Sequence, residues 1–260
     1  MSLPGSFLPS GGPGSPLQAV FWDMDGTIVD TEPYWIQAEK DLVAAHGGTW
    51  TDEEAEELVG QALTFSAHRL QQAGVDLSAE AIISTLTDRV ARQVRTDVPW
   101  RPGARELLEE LADSGIPCAM VTMSTAVLAR AIAAHLPEGT FRFLVTGDMV
   151  ERGKPHPEPY QLAFEELAQS VPGLAKSRCV AIEDSYPGYT SARAAGLTAL
   201  AVPHFIPLPP DPDRIEWTTL AGRGVSDLQA LTALGAAAQE SGAQKSAAQK
   251  SAAQESGAQK

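Results

Sequence analysis

Five short apolar runs separated by amphipathic stretches constrain the fold of this chain more than any other feature. The runs cover residues 17–23, 116–122, 143–146, 179–183 and 198–202, and helical patterns cover residues 104–114, 126–135, 157–169 and 188–195. Apolar strands that alternate with amphipathic helices are typical of a parallel sheet covered on both faces. The sequence therefore predicts an α/β fold with a doubly wound, parallel, five-stranded, Rossmann-like sheet.

The interval from residue 34 to residue 98 interrupts this alternation, because it contains helical patterns but no convincing strand. Thr51 followed three residues later by Glu54 is a helix-start signature. We predict a small α-helical cap domain at 34–98, inserted into a catalytic core formed by 17–33 and 99–235. The Gly-, Pro- and Ser-rich residues 1–16 predict a flexible lead-in, and the Ala/Gln/Ser/Lys near-repeat at 236–260 predicts a disordered tail.

Charge and hydropathy limit the classes of partner. A formal net charge of −14 argues against nucleic acid or an anionic membrane surface, although a local cation could still bind a small anionic substrate. No run approaches the roughly 18 apolar residues of a membrane span, and the N-terminus lacks the features of a signal peptide. Cys118 and Cys179 lie within apolar runs, so we expect buried, reduced thiols in a cytoplasmic protein. We also expect the protein to be a monomer.

Two carboxylates one residue apart end the first run, in the sequence DMDGT. Asp23 and Asp25 would lie at the edge of the sheet where α/β proteins bind ligands. Acids in that position could hold a hard cation, and either could act as a nucleophile or general acid, but Asp-Gly is also a common turn pair. A calcium-binding EF-hand loop is excluded, because Tyr34 occupies the position that requires a bidentate Glu.

Three later segments add groups of complementary chemistry. Thr122 and Ser124 follow the second run, where hydroxyls can either cap a helix or form a seat for an anion. Lys154 stands between glycine and proline, which suits a fixed positive charge. Glu183 and Asp184 form a second acidic pair at a second strand end. Two acidic pairs with a hydroxyl and a lysine between them predict a site for a metal and an anion.

This ordered set of DMDGT, VTMST, GKPHPEP and EDSYPG resembles the haloacid dehalogenase-like (HAD) hydrolase superfamily. It looks most like the phosphatase and β-phosphoglucomutase-like branch, which carries a helical cap after the first strand. The resemblance covers residues 18–202, with a weaker continuation to about residue 234. It implies Mg²⁺-dependent hydrolysis of a small phosphorylated metabolite, such as a sugar or polyol phosphate, through an aspartyl-phosphate intermediate.

The resemblance also implies a role for individual residues. Asp23 would be the nucleophile, and Asp25 would protonate the leaving alcohol and then activate water. The implied phosphate-binding residues are Thr122, Met123, Ser124 and Lys154. The implied Mg²⁺ ligands are Asp23, the backbone carbonyl of Asp25, Asp184 and, directly or through a water, Glu183. Candidate specificity residues in the cap are Trp35, Gln61 and Arg89, although packing or solvation explains such side chains at least as well.

Two alternative functions remain open beside hydrolysis. The mutase branch carries a histidine about where Trp35 stands and a cap arginine where Leu63 stands, and both differences weaken that interpretation. A phosphate-binding protein that has lost turnover is the other alternative, but every expected catalytic position is filled. Dehalogenation is disfavoured, because the dehalogenases of this superfamily lack the second aspartate, here Asp25.

Overall fold

The computed structural model describes residues 17–59 and 62–232, which contain a single parallel sheet and the α-helices named below; residues 225–232 are helical as well. The strands are β1 (Ala19–Trp22), β2 (Cys118–Val121), β3 (Phe141–Val145), β4 (Cys179–Glu183), β5 (Thr198–Ala201) and β6 (Ile215–Glu216). The helices are α1 (Glu32–Ala45), α2 (Asp52–Glu56), α3 (Leu63–Gln72), α4 (Ala79–Thr96), α5 (Ala104–Asp113), α6 (Ala126–Ala133), α7 (Glu158–Ser170) and α8 (Tyr186–Ala194). The predicted lead-in (1–16), the whole of the predicted tail (236–260) and Gln61 lie outside the described residues.

The strand order, β3-β2-β1-β4-β5-β6, positions the candidate site. The chain moves outward from β1 through β2 to β3, and then returns to the other side of β1 to form β4. Trp22 is paired with Met120 of β2 and with Ile182 of β4, so these three strands end at the same level. The reversal beside β1 is the point at which doubly wound sheets bind their ligands.

The prediction of a doubly wound parallel sheet is confirmed, but the predicted count of five strands is wrong. A sixth strand, β6, pairs with β5 through Ile215 opposite Leu200 and Glu216 opposite Ala201. Its two residues are too few to produce a recognisable apolar run or an alternating pattern. Its place in the sheet depends on pairing with β5, which the local sequence does not encode.

The apolar core lies on both faces of the sheet, as the all-apolar strands require. Val20 and Trp22 of β1 pack into one cluster with α5, while Ala19 and Phe21 pack into a second cluster with α7. Side chains alternate along a strand, so a strand buried on both faces must be apolar at every position. Cys118 and Cys179 are free and buried, as predicted for the thiols of such strands.

Helices α1–α4 form a helical insert between β1 and α5. The predicted helix start at Thr51 is confirmed: its hydroxyl accepts a hydrogen bond from the Glu54 backbone N–H, and the Glu54 carboxylate accepts one from the Thr51 N–H. The two linkers of the insert run side by side, since Val29 bridges to Trp100. No described helix is both long enough and apolar enough to cross a membrane.

Candidate active site

Three acidic side chains converge at the carboxyl ends of β1 and β4. Asp23 directly follows β1, Glu183 is the last residue of β4, and Asp184 follows it. One carboxylate oxygen from each of the three lies within 4.8 Å of the others. Asp23 Oδ2 is buried and has no hydrogen-bond partner among the described residues. An orphaned carboxylate oxygen in an acidic cluster suits a hard divalent cation.

Lys154 is the positive charge of this cluster. Its Nζ donates to Asp23 Oδ1 at 2.6 Å and to the Val121 carbonyl at 2.7 Å, and it lies 2.6 Å from Glu183 Oε1. Burial alone would lower the pKa of Lys154, but the carboxylates of Asp23 and Glu183 outweigh it, so the pKa is raised. The lysine is therefore a fixed cation between two strand ends.

Glu183 is fully buried and held by a residue that the sequence analysis missed. The hydroxyl of Tyr160, in α7, donates to Glu183 Oε1 at 2.5 Å. Burial raises the pKa of Glu183 to about 7 in spite of the opposing effect of Lys154. Burial and the neighbouring charges of Asp23 and Glu183 also raise the pKa of Asp184. For both carboxyl groups burial is the largest cause of the raised pKa.

The carboxylate of Asp25 is held by hydroxyl groups. Thr31 Oγ1 donates to Asp25 Oδ1 at 2.6 Å, and Ser124 Oγ donates to Oδ2 at 2.6 Å. Thr122 Oγ1 lies 3.4 Å from the same Oδ2. Burial raises the pKa of Asp25 although the bonds from Ser124 and Thr31 oppose the rise. Thr31 was not predicted, since a threonine before a helix is ordinarily a capping residue.

The hydroxyls after β2 do not cap helix α6, which has no side-chain cap. Thr122 Oγ1 instead accepts a hydrogen bond from the Ser124 N–H at 3.0 Å. The capping interpretation of these hydroxyls is therefore wrong, and the anion seat stays a prediction. The sulfur of Met123 accepts a hydrogen bond from the Lys154 N–H at 3.3 Å, so this side chain packs against the lysine segment.

The candidate specificity residues of the insert lie in two different settings. Trp35 is buried in the apolar cluster that runs from the insert into the core. Arg89 is half-buried, and its guanidinium donates to the Ala38 carbonyl at 3.1 Å, which ties α4 to α1. It also lines an α1–α4 groove of about 580 Å³ together with Tyr34 and Arg92. Within the described residues, no hydrogen bond or salt bridge joins Trp35 or Arg89 to the acidic cluster.

Comparisons with known proteins agree with this architecture. A family model for haloacid dehalogenase-like hydrolases matches residues 17–196. The chain is 33% identical to Protein CbbY of Cereibacter sphaeroides over 73% of this chain and 85% of that protein. It is 34% identical to hexitol phosphatase A of Escherichia coli (strain K12) over 70% and 81% of the two chains.

A solved structure gives the same result for the fold. The crystal structure of CbbY from Rhodobacter sphaeroides in complex with xylulose-(1,5)bisphosphate superposes with a TM-score of 0.70 at 28% identity. The match covers 82% of this chain and 99% of the other. The similarity therefore extends over nearly all of that protein.

Proposed function

This chain belongs to the haloacid dehalogenase-like hydrolases and is a phosphoric monoester hydrolase, and we propose that it dephosphorylates a small sugar or polyol phosphate through an aspartyl-phosphate intermediate. The observation that carries the proposal is the convergence of Asp23, Lys154, Glu183 and Asp184 beside a hydroxyl-held Asp25. Relatives named for hexitol and carbohydrate phosphates support the substrate class.

The reaction would depend on Mg²⁺. Three clustered carboxylates face one lysine, and the buried Asp23 Oδ2 lacks a partner among the described residues, so the donor set fits a hard divalent cation. The residues that would hold the ion are Asp23, Asp184, the backbone carbonyl of Asp25 and, directly or through a water, Glu183. When bound, Mg²⁺ would offset the negative charge of the phosphoryl oxygens.

Asp23 would attack phosphorus, forming a bond from its carboxylate oxygen to phosphorus as the bond to the leaving alcohol breaks. Lys154, 2.6 Å from Asp23, reduces the repulsion between this carboxylate and the incoming phosphate. Asp25 would give its proton to the leaving oxygen, which suits a carboxyl whose pKa burial raises. Water would then attack phosphorus and give a proton to Asp25, while the bond from phosphorus to the Asp23 oxygen breaks, which releases phosphate and regenerates the Asp23 carboxylate.

Hydrolysis is better supported than a mutase reaction. Trp35 occupies the position where the mutase branch carries a histidine, and it is only 8% exposed within an apolar cluster. An indole in that setting supplies no group that titrates near neutral pH. We propose that α1–α4 act as a cap that limits substrate size, with Trp35, Gln61 and Arg89 as candidate determinants of specificity.

The test is a panel of sugar and polyol phosphates, with p-nitrophenyl phosphate as a general substrate, assayed with Mg²⁺ and with EDTA. We expect Asp23→Asn to abolish turnover, while Asp113→Asn, at the exposed end of α5, retains it. Acid-quenched wild-type enzyme should carry a phosphate on the peptide that contains Asp23. Turnover by the Asp23→Asn protein, with an unmodified peptide in wild type, would refute the assigned nucleophile.

A further inference from the structure

A pocket of about 470 Å³ lies where helix α4 of the insert packs against helix α6 of the core. Its lining residues are Arg95 from α4 and Val127, Arg130, Ala131, Ala134 and His135 from α6 and its C-terminal end. The volume falls within the range of small-molecule sites, about 300–1,000 Å³. We refer to it as the α4–α6 pocket. It is separate from the acidic cluster, with which it shares no lining residue.

The α4–α6 pocket is lined by positively charged side chains, although the chain as a whole is strongly negative. Acidic residues outnumber lysine and arginine by 33 to 19, yet two of the six described lining residues are arginines, a third is a histidine and none is acidic. Neither Arg95 nor Arg130 forms a salt bridge with a described residue, although the charge of Arg130 helps to lower the pKa of Asp148. Their guanidinium groups therefore remain available to an external anion.

The remaining surface of the pocket is apolar. Val127 is 45% exposed, which makes it one of the few large apolar side chains that reach solvent among the described residues. Ala131 and Ala134 continue the same helical face one and two turns later. Exposed apolar area beside paired cations favours a ligand with both an anionic group and a hydrophobic body.

We propose that the α4–α6 pocket binds a small organic anion with an aromatic or alkyl body, whose acidic group contacts Arg95 and Arg130. The ligand would bridge the insert and the core, because Arg95 belongs to α4 and Arg130 to α6. Carboxylate, phosphate and sulfonate groups all match the donor fork of a guanidinium. The apolar body would cover Val127.

The probe is 8-anilinonaphthalene-1-sulfonate, titrated by fluorescence into the full-length folded protein. Wild type should bind it saturably, and the Arg95→Gln/Arg130→Gln protein should bind at least about ten-fold more weakly, since each arginine contributes a charge-assisted hydrogen bond. Arg92→Gln is the matched control, because Arg92 lies one turn earlier on α4 and lines the α1–α4 groove, which also contains Asp41 and Asp97. Its affinity should stay within about two-fold of wild type.

Two further measurements distinguish binding in the α4–α6 pocket from non-specific electrostatic attraction and from non-specific hydrophobic binding. Val127→Asp, which adds an acid to the apolar face, should weaken sulfonate binding without changing urea unfolding. N-phenyl-1-naphthylamine, which has the same rings but no sulfonate, should bind wild type and the double variant alike. Equal sulfonate affinity for wild type and the double variant, or an equal loss in Arg92→Gln, would overturn the proposal. Because no turnover is measured, failure here leaves the proposed phosphatase reaction unaffected.

Discussion

Glu39 is a carboxylate buried in the helical insert, and its ionisation should make the stability of the protein depend on pH. The side chain is only 4% exposed, and the indole N–H of Trp50 donates a hydrogen bond to its Oε2 at 3.3 Å. Burial raises the pKa of Glu39 from 4.5 to about 7, although the Trp50 bond opposes the rise. Glu39→Gln keeps a carbonyl acceptor for Trp50 and removes the charge.

The size of the change in the free energy of unfolding follows from the difference between the pKa of Glu39 in the folded protein and in the unfolded protein. Well below pH 4.5 the Glu39 carboxyl is protonated in both the folded and the unfolded protein, so its burial adds no pH dependence to the free energy of unfolding. As the pH rises from 4.5 to about 7 the unfolded chain loses its proton and the folded chain keeps it, so stability falls. Each tenfold difference in proton affinity is worth about 1.4 kcal/mol, which gives a loss of about 3 kcal/mol by pH 8.

Urea unfolding of wild type and Glu39→Gln at several pH values between 4.5 and 8.5 tests this reasoning. The stability of Glu39→Gln relative to wild type should rise by about 3 kcal/mol across that interval. Any cost of placing the amide N–H₂ in an apolar site is independent of pH and shifts the whole curve. Glu56→Gln, at an exposed position on α2, is the control and should give a flat difference. A flat difference for Glu39→Gln as well would refute the argument.

Three further outcomes are expected at the active site. Gly26→Ala should abolish activity, because Gly26 has φ +84° and an added Cβ would lie 2.1 Å from Asp184 Oδ2; near-normal kcat would contradict the packing. Tyr160→Phe should lower the free energy of unfolding by about 1.5–3 kcal/mol in urea, the contribution of a hydrogen bond to the buried Glu183 carboxylate; unchanged stability would show that the bond contributes little. Dialysis against EDTA should remove p-nitrophenyl phosphate turnover, and Mg²⁺ should restore it; full activity in EDTA would exclude the proposed metal dependence.

The sequence was sufficient to predict the sheet and the strand ends that carry the candidate site. Both follow from local patterns: apolar runs become buried strands, and an acid that ends such a run must lie at the edge of the sheet. Once the strands are parallel, acids as distant in sequence as Asp23 and Asp184 come to the same edge. Strand β6 has no such local pattern, and it was missed.

The supporting residues of the site could not be predicted, because their roles depend on tertiary contacts. Tyr160 looks like an ordinary apolar-face residue of α7, yet its hydroxyl reaches Glu183, 23 positions away. Thr31 precedes a helix, yet its hydroxyl bonds Asp25 and does not cap that helix. The same applies to Arg89: helical periodicity predicts which face of α4 it lies on, but it does not predict the hydrogen bond to the Ala38 carbonyl. The hydrogen-bond partners of such hydroxyl and guanidinium groups depend on which secondary-structure elements pack together in the folded protein.

Two glycines, Gly26 and Gly188, lie so close to the acidic cluster that no larger residue would fit at either position. A Cβ on Gly26, after Asp25, would overlap Asp184 Oδ2 at 2.1 Å, and a Cβ on Gly188 would overlap Glu183 Oε2 at 1.8 Å. Gly26 thus leaves room for Asp184, and Gly188 leaves room for Glu183. In both cases the nearest atoms belong to the carboxylate itself, so a larger residue would displace the acid from its present position. The glycines of DMDGT and EDSYPG are therefore steric requirements of the acidic cluster, beyond any role as turn residues.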